Sequence, residues 1–167
     1  SKPMLYICNV DEKSAVEGNN FSNSVKEKAN KESDSVVLVS AAIESQIAEF
    51  EDETDKLEML KELGLEETTL KKVILAGYNI LNLITFFTCE PKETRAWTIT
   101  KNATASEAAG KIHTDFEKGF IRTEAITYED FANLKGEAAC REAGKLRLEG
   151  KDYVVKDGDI FHFLFNV

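Results

Sequence analysis

The hydrophobic positions of the chain fall into two regimes. Up to about residue 80, short apolar runs alternate with helical periodicities. Residues 4–8 and 36–39 are apolar runs that end in polar residues, the pattern of buried strands followed by loops. Phe21, Val25 and Ala29 recur four apart within residues 21–32 and predict a surface helix. A further helix is expected after Ser40-Ala41-Ala42, through Phe50. Glu51-Asp52-Glu53 reads as an acidic loop before Thr54, the expected N-cap of a helix that carries Leu57, Leu60 and Leu63 and stops at Gly64. Thr68 or Thr69 caps a longer helix with Leu70, Val73, Ile74, Gly77, Tyr78 and Leu81 on one apolar face, expected to lie on the sheet. Two buried strands among helices predict a parallel sheet, but two strands are too few to be stable alone.

From residue 83 the pattern changes to hairpins around a helix. Residues 83–89 and 94–99 are β-rich and are joined by a turn containing Pro91. Thr104-Ala105-Ser106-Glu107 is a capping box, and the helix after it is expected to bury Ala108, Ala109, Ile112, Phe116 and Phe120. A strand over 120–127 follows, with Thr127 capping a short helix over 128–133. Residues 146–148 and 153–155 suggest a hairpin around Gly150, and Asp157-Gly158 turns into a last strand. There Phe161, Phe163, Phe165 and Val167 share one face, with Ile160, His162 and Leu164 on the other. A mixed sheet over one main helix in fewer than 90 residues predicts an α+β, β-grasp (ubiquitin-like) domain at 80–167, after an α/β segment at 1–79.

Composition narrows the classes. The 167 residues are 43% hydrophobic and 31% charged, enough apolar material for a packed core, which argues against disorder. No apolar run approaches the roughly 20 residues that span a bilayer, so no membrane partner is expected. The start turns polar at Asn9, unlike a secretory signal. Cys8, Cys89 and Cys140 are scattered and odd in number, which fits a reducing cytoplasm better than a disulfide framework or a zinc site. The net charge of -9 opposes indiscriminate coating by nucleic acid. It is uneven: residues 1–79 carry nine basic and sixteen acidic side chains, residues 80–167 twelve and fourteen. Residues 140–156 carry five basic side chains, Arg141, Lys145, Arg147, Lys151 and Lys156, against three acidic ones, which reads either as a solvated surface or as a local basic patch, with Arg141, Lys145, Arg147 and Lys151 the candidate contacts for RNA or a ribosome.

No catalytic set assembles itself. His113 and His162 have no partner at metal-ligand spacing, no serine lies in a nucleophile elbow, and the G-x-x-x-x-G-K-[ST] phosphate loop is missing. The informative loop is Asn9-Val10-Asp11-Glu12, because ligands of α/β nucleotide folds bind at the carboxyl ends of strands. An Asn there can brace a base, and a carboxylate three residues on can accept protons from its edge. The second strand ends in Ser40-Ala41-Ala42, whose small side chains let backbone amides approach a base.

These residues resemble a known family. Asn9-Val10-Asp11-Glu12 is similar to the fourth guanine-nucleotide motif of the YchF/Obg-like ATPase family in its altered N-x-x-E form, and Ser40-Ala41-Ala42-Ile43-Glu44 to the fifth. Residues 83–88, 95–98, 112–122, 150–153 and 157–159 resemble the TGS domain that closes such proteins. Two positions depart from it: Glu90-Pro91 replaces an expected Gly-containing turn, and Leu164 an expected basic residue.

The resemblance implies the C-terminal portion of a longer P-loop NTPase, with the phosphate loop, switch segments and Mg²⁺ ligands upstream and no catalysis by this chain alone. It implies ATP or GTP as the nucleotide: Asn9 toward the base, Val10 beside it, Glu12 at its edge, and Ser40, Ala41 and Ala42 along it. Because Val10 and Glu12 replace the Lys and Asp of the guanine-specific N-K-x-D, adenine should become acceptable. Its implied partners are nucleotide, its own N-terminal nucleotide domain and a ribosome or RNA, in the cytoplasm. The alternative is a TGS-type binding or regulatory module without catalytic activity.

Overall fold

The computed structural model describes residues 2–90 and 92–166. It divides into two units, one ending at Leu81 and one starting at Asn82.

In the first unit, β1 (Leu5–Asn9) and β2 (Ser35–Val39) pair in parallel, with α1 (Asn20–Glu32) as the crossover between them. Asn19 and Ser22 form the capping box of α1. Helix α2 (Ala41–Ala48) follows β2, then α3 (Glu53–Glu62) and α4 (Thr69–Ile80). The core of this unit lies between the loop after β1 and the helices α2 and α3, where Ala15, Ile43, Ile47, Leu60 and Leu65 are buried.

Four details correct the sequence reading. The strands are only half-buried, with Ile7 54% exposed, because helices reach a two-stranded sheet incompletely. On α1 the buried residues are Ser22 and Ala29, while Phe21 is exposed. The cap of α3 is Asp52, whose Oδ1 accepts from the Thr54 amide at 2.7 Å and the Thr54 hydroxyl at 2.6 Å. Helix α4 is capped by Thr68 and packs against the sheet, but Leu70, Ile74 and Leu81 are exposed. Thr69 is buried at its start, its hydroxyl donating to the Glu44 carboxylate at 2.7 Å, and this anchor turns the predicted apolar stripe partly outward.

The second unit is a five-stranded mixed sheet. Its strands are β3 (Leu83–Cys89), β4 (Thr94–Thr100), β5 (Phe120–Thr127), β6 (Arg147–Glu149) and β7 (Asp159–Phe165), in the order β4-β3-β7-β5-β6. The parallel pair β3–β7 is central, and all other neighbours are antiparallel. Helix α5 (Ala105–Ile112) packs on one face, burying Ala108 and Ala109 against Phe86, Phe161 and Phe163. Phe86 is fully buried and packs on Trp97 with rings 6.4 Å apart. Its burial contributes about 2–3 kcal/mol.

The expected capping box is present: Thr104 Oγ1 accepts from the Glu107 amide, and the Glu107 carboxylate accepts from the Thr104 amide at 2.7 Å. The helix after it is shorter than expected. It stops at His113, whose Nδ1 accepts from the Asp115 amide and starts a separate α6 (Thr114–Lys118). Helices α7 (Tyr128–Leu134) and α8 (Glu137–Glu142) follow β5; α8 has no counterpart in the sequence reading. The expected hairpin around Gly150 is replaced by two separate pairings: β6 joins β5, and Val154 bridges Thr104. The Val155 amide bonds the Ala103 carbonyl at 2.9 Å, drawing that segment to the start of α5. Pro91 and Val167 lie outside the described residues. No helix among the described residues is long and apolar enough to cross a membrane.

Candidate functional site

The register of β1 and β2 decides where the expected base-binding residues go. Asn9 pairs with Val39, so the loops leaving both carboxyl ends start side by side. The Val10 amide donates to the Val39 carbonyl at 2.8 Å, extending the ladder one step. Asn9 Oδ1 accepts from the Ala41 amide at 3.2 Å and latches one loop to the other. With that oxygen engaged, the side chain keeps its NH₂ donors for a ligand. Ser40 is fully buried and caps α2, its Oγ accepting from the Ile43 amide at 3.5 Å.

Beyond the latch the chain makes a 3₁₀ turn, Glu12–Ser14, capped by Asp11, whose Oδ1 accepts from the Ser14 amide at 2.9 Å. That hydrogen bonding holds the Asp11 carboxyl below its ordinary pKa. Glu12 is exposed, and its Oε1 accepts from Gln46 Nε2 at 3.0 Å. An open cleft of about 430 Å³ is lined by Asp11, Glu12, Lys13 and Ala42. The structure thus brings Glu12 and Ala42 together at one cleft. Val10 is 9% exposed, and Asn9, Val10, Ser40 and Ala41 do not line the cleft.

Sequence reasoning missed Gln46. It stands 34 residues from Glu12, and no local spacing announces a pair that depends on strand register. The cleft offers a carboxylate with lone pairs to spare at Glu12 and a small side chain at Ala42, while the amide donors of Asn9 lie outside its lining. Among the described residues no group of three or more His, Cys, Asp or Glu is arranged to hold a metal.

The basic cluster of the second unit is dispersed into ion pairs. Arg141 grips Glu124 through both Nη atoms, at 3.1 and 2.9 Å, and reaches Glu137 at 3.0 Å. Lys145 meets Asp130 at 3.3 Å. Arg147 lies over the Tyr153 ring and contacts Asp159 at 3.4 Å and Glu149 at 3.8 Å. Only Lys151 of the four lacks an ion pair among the described residues. His113 and His162 are exposed. The three cysteines are free thiols, and burial raises the pKa of Cys140.

The family profile YchF-GTPase_C, described as a protein of unknown function (DUF933), matches residues 83–166. The chain belongs to the YchF family. It corresponds to the C-terminal portion of that family's members. It is 58% identical over 166 residues to the ribosome-binding ATPase YchF of Escherichia coli O157:H7, covering 99% of this chain and 45% of that protein. Against the ribosome-binding ATPase YchF of Bacillus subtilis (strain 168) it is 50% identical over 169 residues, covering 100% of this chain and 46% of that protein. The structure of the Schizosaccharomyces pombe YchF GTPase matches with a TM-score of 0.82 at 39% identity, over 97% of this chain and 43% of that one. The chain therefore spans a little under half the length of these relatives.

Proposed function

We propose that this chain supplies base recognition and a TGS module to a ribosome-associated protein of the cytoplasm that binds and hydrolyses ATP and GTP. The observation that carries the nucleotide reading is the latch from Asn9 to the Ala41 amide, which holds the N-x-x-E and S-A-A loops as one surface beside the cleft of Glu12 and Ala42. On this surface Glu12 accepts from an exocyclic amino group. Its extra methylene and its bond to Gln46 move the carboxylate from where an Asp would meet both guanine donors, so adenine competes. Phosphate and Mg²⁺ binding fall to groups outside this chain.

Competitive titration of ATP against GTP on the intact protein tests this reading. ATP is expected to bind at least as well as GTP, with Glu12→Asp shifting the preference toward GTP. A clear GTP preference in the unaltered protein would refute the roles given to Glu12 and Val10.

For the second unit, the strand order β4-β3-β7-β5-β6 over α5 supports the β-grasp, TGS reading, and the names of the bacterial relatives support ribosome contact. Arg141, Lys145 and Arg147 would have to break ion pairs to reach phosphate, which leaves Lys151 as the cation of that group without an ion pair among the described residues. Ribosome co-sedimentation across a salt series is expected to fall with Lys151→Glu. A salt-independent association would refute an electrostatic grip on RNA.

A further inference from the structure

The second unit holds a cleft of about 610 Å³. It exists because β7 outruns its neighbour. The β3–β4 hairpin closes at Glu90 and Glu93, whose backbones bond each other at 2.9 and 3.2 Å. The β3–β7 ladder accordingly ends at the pair Thr88–Phe161, while β7 continues to Phe165.

The phase of the backbone follows from the other side. The His162 carbonyl accepts from Thr123 Oγ1 of β5 at 3.1 Å, and the Asn166 amide bonds the Gly119 carbonyl at 2.9 Å, so the even-numbered residues from His162 onward turn their backbone groups to β5. Phe163 and Phe165 therefore turn theirs to the other side, toward the cleft they line, where among the described residues no strand pairs with them. Apolar walls flank this open edge: Trp97 on β4, Ile112 at the end of α5, and Phe116 stacked on Phe165 at 3.8 Å. Glu90, Glu93 and Asp115 line the cleft against one guanidinium, Arg95, which sits 4.3 Å over Trp97.

We propose that this cleft is a β-addition site for an extended basic segment of a partner protein, with apolar residues at alternate positions. The backbone of Phe163 and Phe165 would pair with the incoming strand, one side-chain set would enter between Trp97 and Phe116, and its cations would meet Glu90, Glu93 and Asp115. The carboxylate excess disfavours a polyanion in this place. The proposal goes beyond the nucleotide and ribosome readings and depends on neither.

Three labelled heptapeptides test it against the full chain: alternating Lys-Val, alternating Glu-Val, and Lys-Val with alternate amides N-methylated. Trp97, the single tryptophan, lines the cleft, so its emission reports occupancy there. Lys-Val is expected to perturb that emission and to bind about tenfold or more tighter than either other peptide. Glu90→Lys with Glu93→Lys, both exposed, is expected to weaken it by about tenfold or more without changing the unfolding midpoint. Equal binding of the N-methylated or Glu-Val peptide, or indifference to the charge reversal, would overturn the proposal. So would displacement of the Lys-Val peptide by an oligouridylate that itself quenches Trp97, which would make the cleft a nucleic-acid site.

Discussion

Asp159→Ala is expected to destabilise the second unit by about 3 kcal/mol, and the figure follows from its surroundings. The side chain is 2% exposed. Its Oδ2 accepts from the Tyr153 hydroxyl and from the Lys156 amide, both at 2.9 Å, and Oδ1 from Arg147 Nη2 at 3.4 Å. Each short bond to a charged acceptor contributes about 1.5–3 kcal/mol, and removing the acceptor strands a part-buried hydroxyl and amide. Two effects offset this: alanine avoids the desolvation of a buried carboxylate, and Arg147, with 35% of its side chain exposed, can rehydrate. For a unit of this size, about 3 kcal/mol corresponds to a fall of roughly 12–24 °C in Tm. Thermal and urea unfolding followed by Trp97 emission read this unit, because β4 holds the only tryptophan. Asp159→Asn keeps an acceptor for the Lys156 amide and should cost less than half as much. A loss below about 1 kcal/mol for Asp159→Ala, or equal losses for Ala and Asn, would refute the assignment of this carboxylate as the organiser of Arg147 and Tyr153.

The same unfolding signal checks three further expectations. A Cβ on Gly119 would stand 1.9 Å from the Asn166 carbonyl oxygen, so Gly119→Ala should cost about 2 kcal/mol or more by forcing β5 and the end of β7 apart. Hydrogen bonds from the Thr104 amide and hydroxyl hold the Glu107 carboxyl below its ordinary pKa, so its contribution is present above the unfolded-state value and is lost as pH falls through the folded one. Glu107→Ala should therefore cost about 1 kcal/mol at neutral pH and nothing in strong acid, as urea midpoints at both pH values will read. Burial, and next the bond to Asp159, raise the Tyr153 hydroxyl pKa, so its contribution persists below the unfolded-state value and fades as pH rises through the folded one. Tyr153→Phe should flatten the alkaline limb of a stability profile.

What was legible in the sequence was local. The caps at Thr104 and Thr127, the left-handed Gly64 and the alternation of Phe161, Phe163 and Phe165 are decided by residues within a few positions of one another. Errors came where a distant partner chose between local options. Val154 goes to Thr104 rather than back to β6, and His113 breaks the long helix by capping α6. The base site divides in the same way. The position of Asn9 at a strand end could be read from the apolar run before it, but the Glu12–Gln46 bond joins the turn after β1 to helix α2 and had no spacing to reveal it.

Charge was the most misleading signal, for a physical reason. A sequence counts charges but not their partners. Arg141, Lys145 and Arg147 look like a basic patch because they are close together in the chain, yet Glu124, Asp130 and Asp159 come from β5, α7 and β7 to pair with them. Conversely, Glu90 and Glu93 lie in one turn and Asp115 in α6, with nothing in the sequence to join them, and folding sets all three around one apolar cleft. The second unit thus holds Arg141, Lys145 and Arg147 in ion pairs and gathers carboxylates beside its open strand edge. A cationic peptide gains there from charge and from backbone pairing together, whereas a phosphate chain would gain from neither.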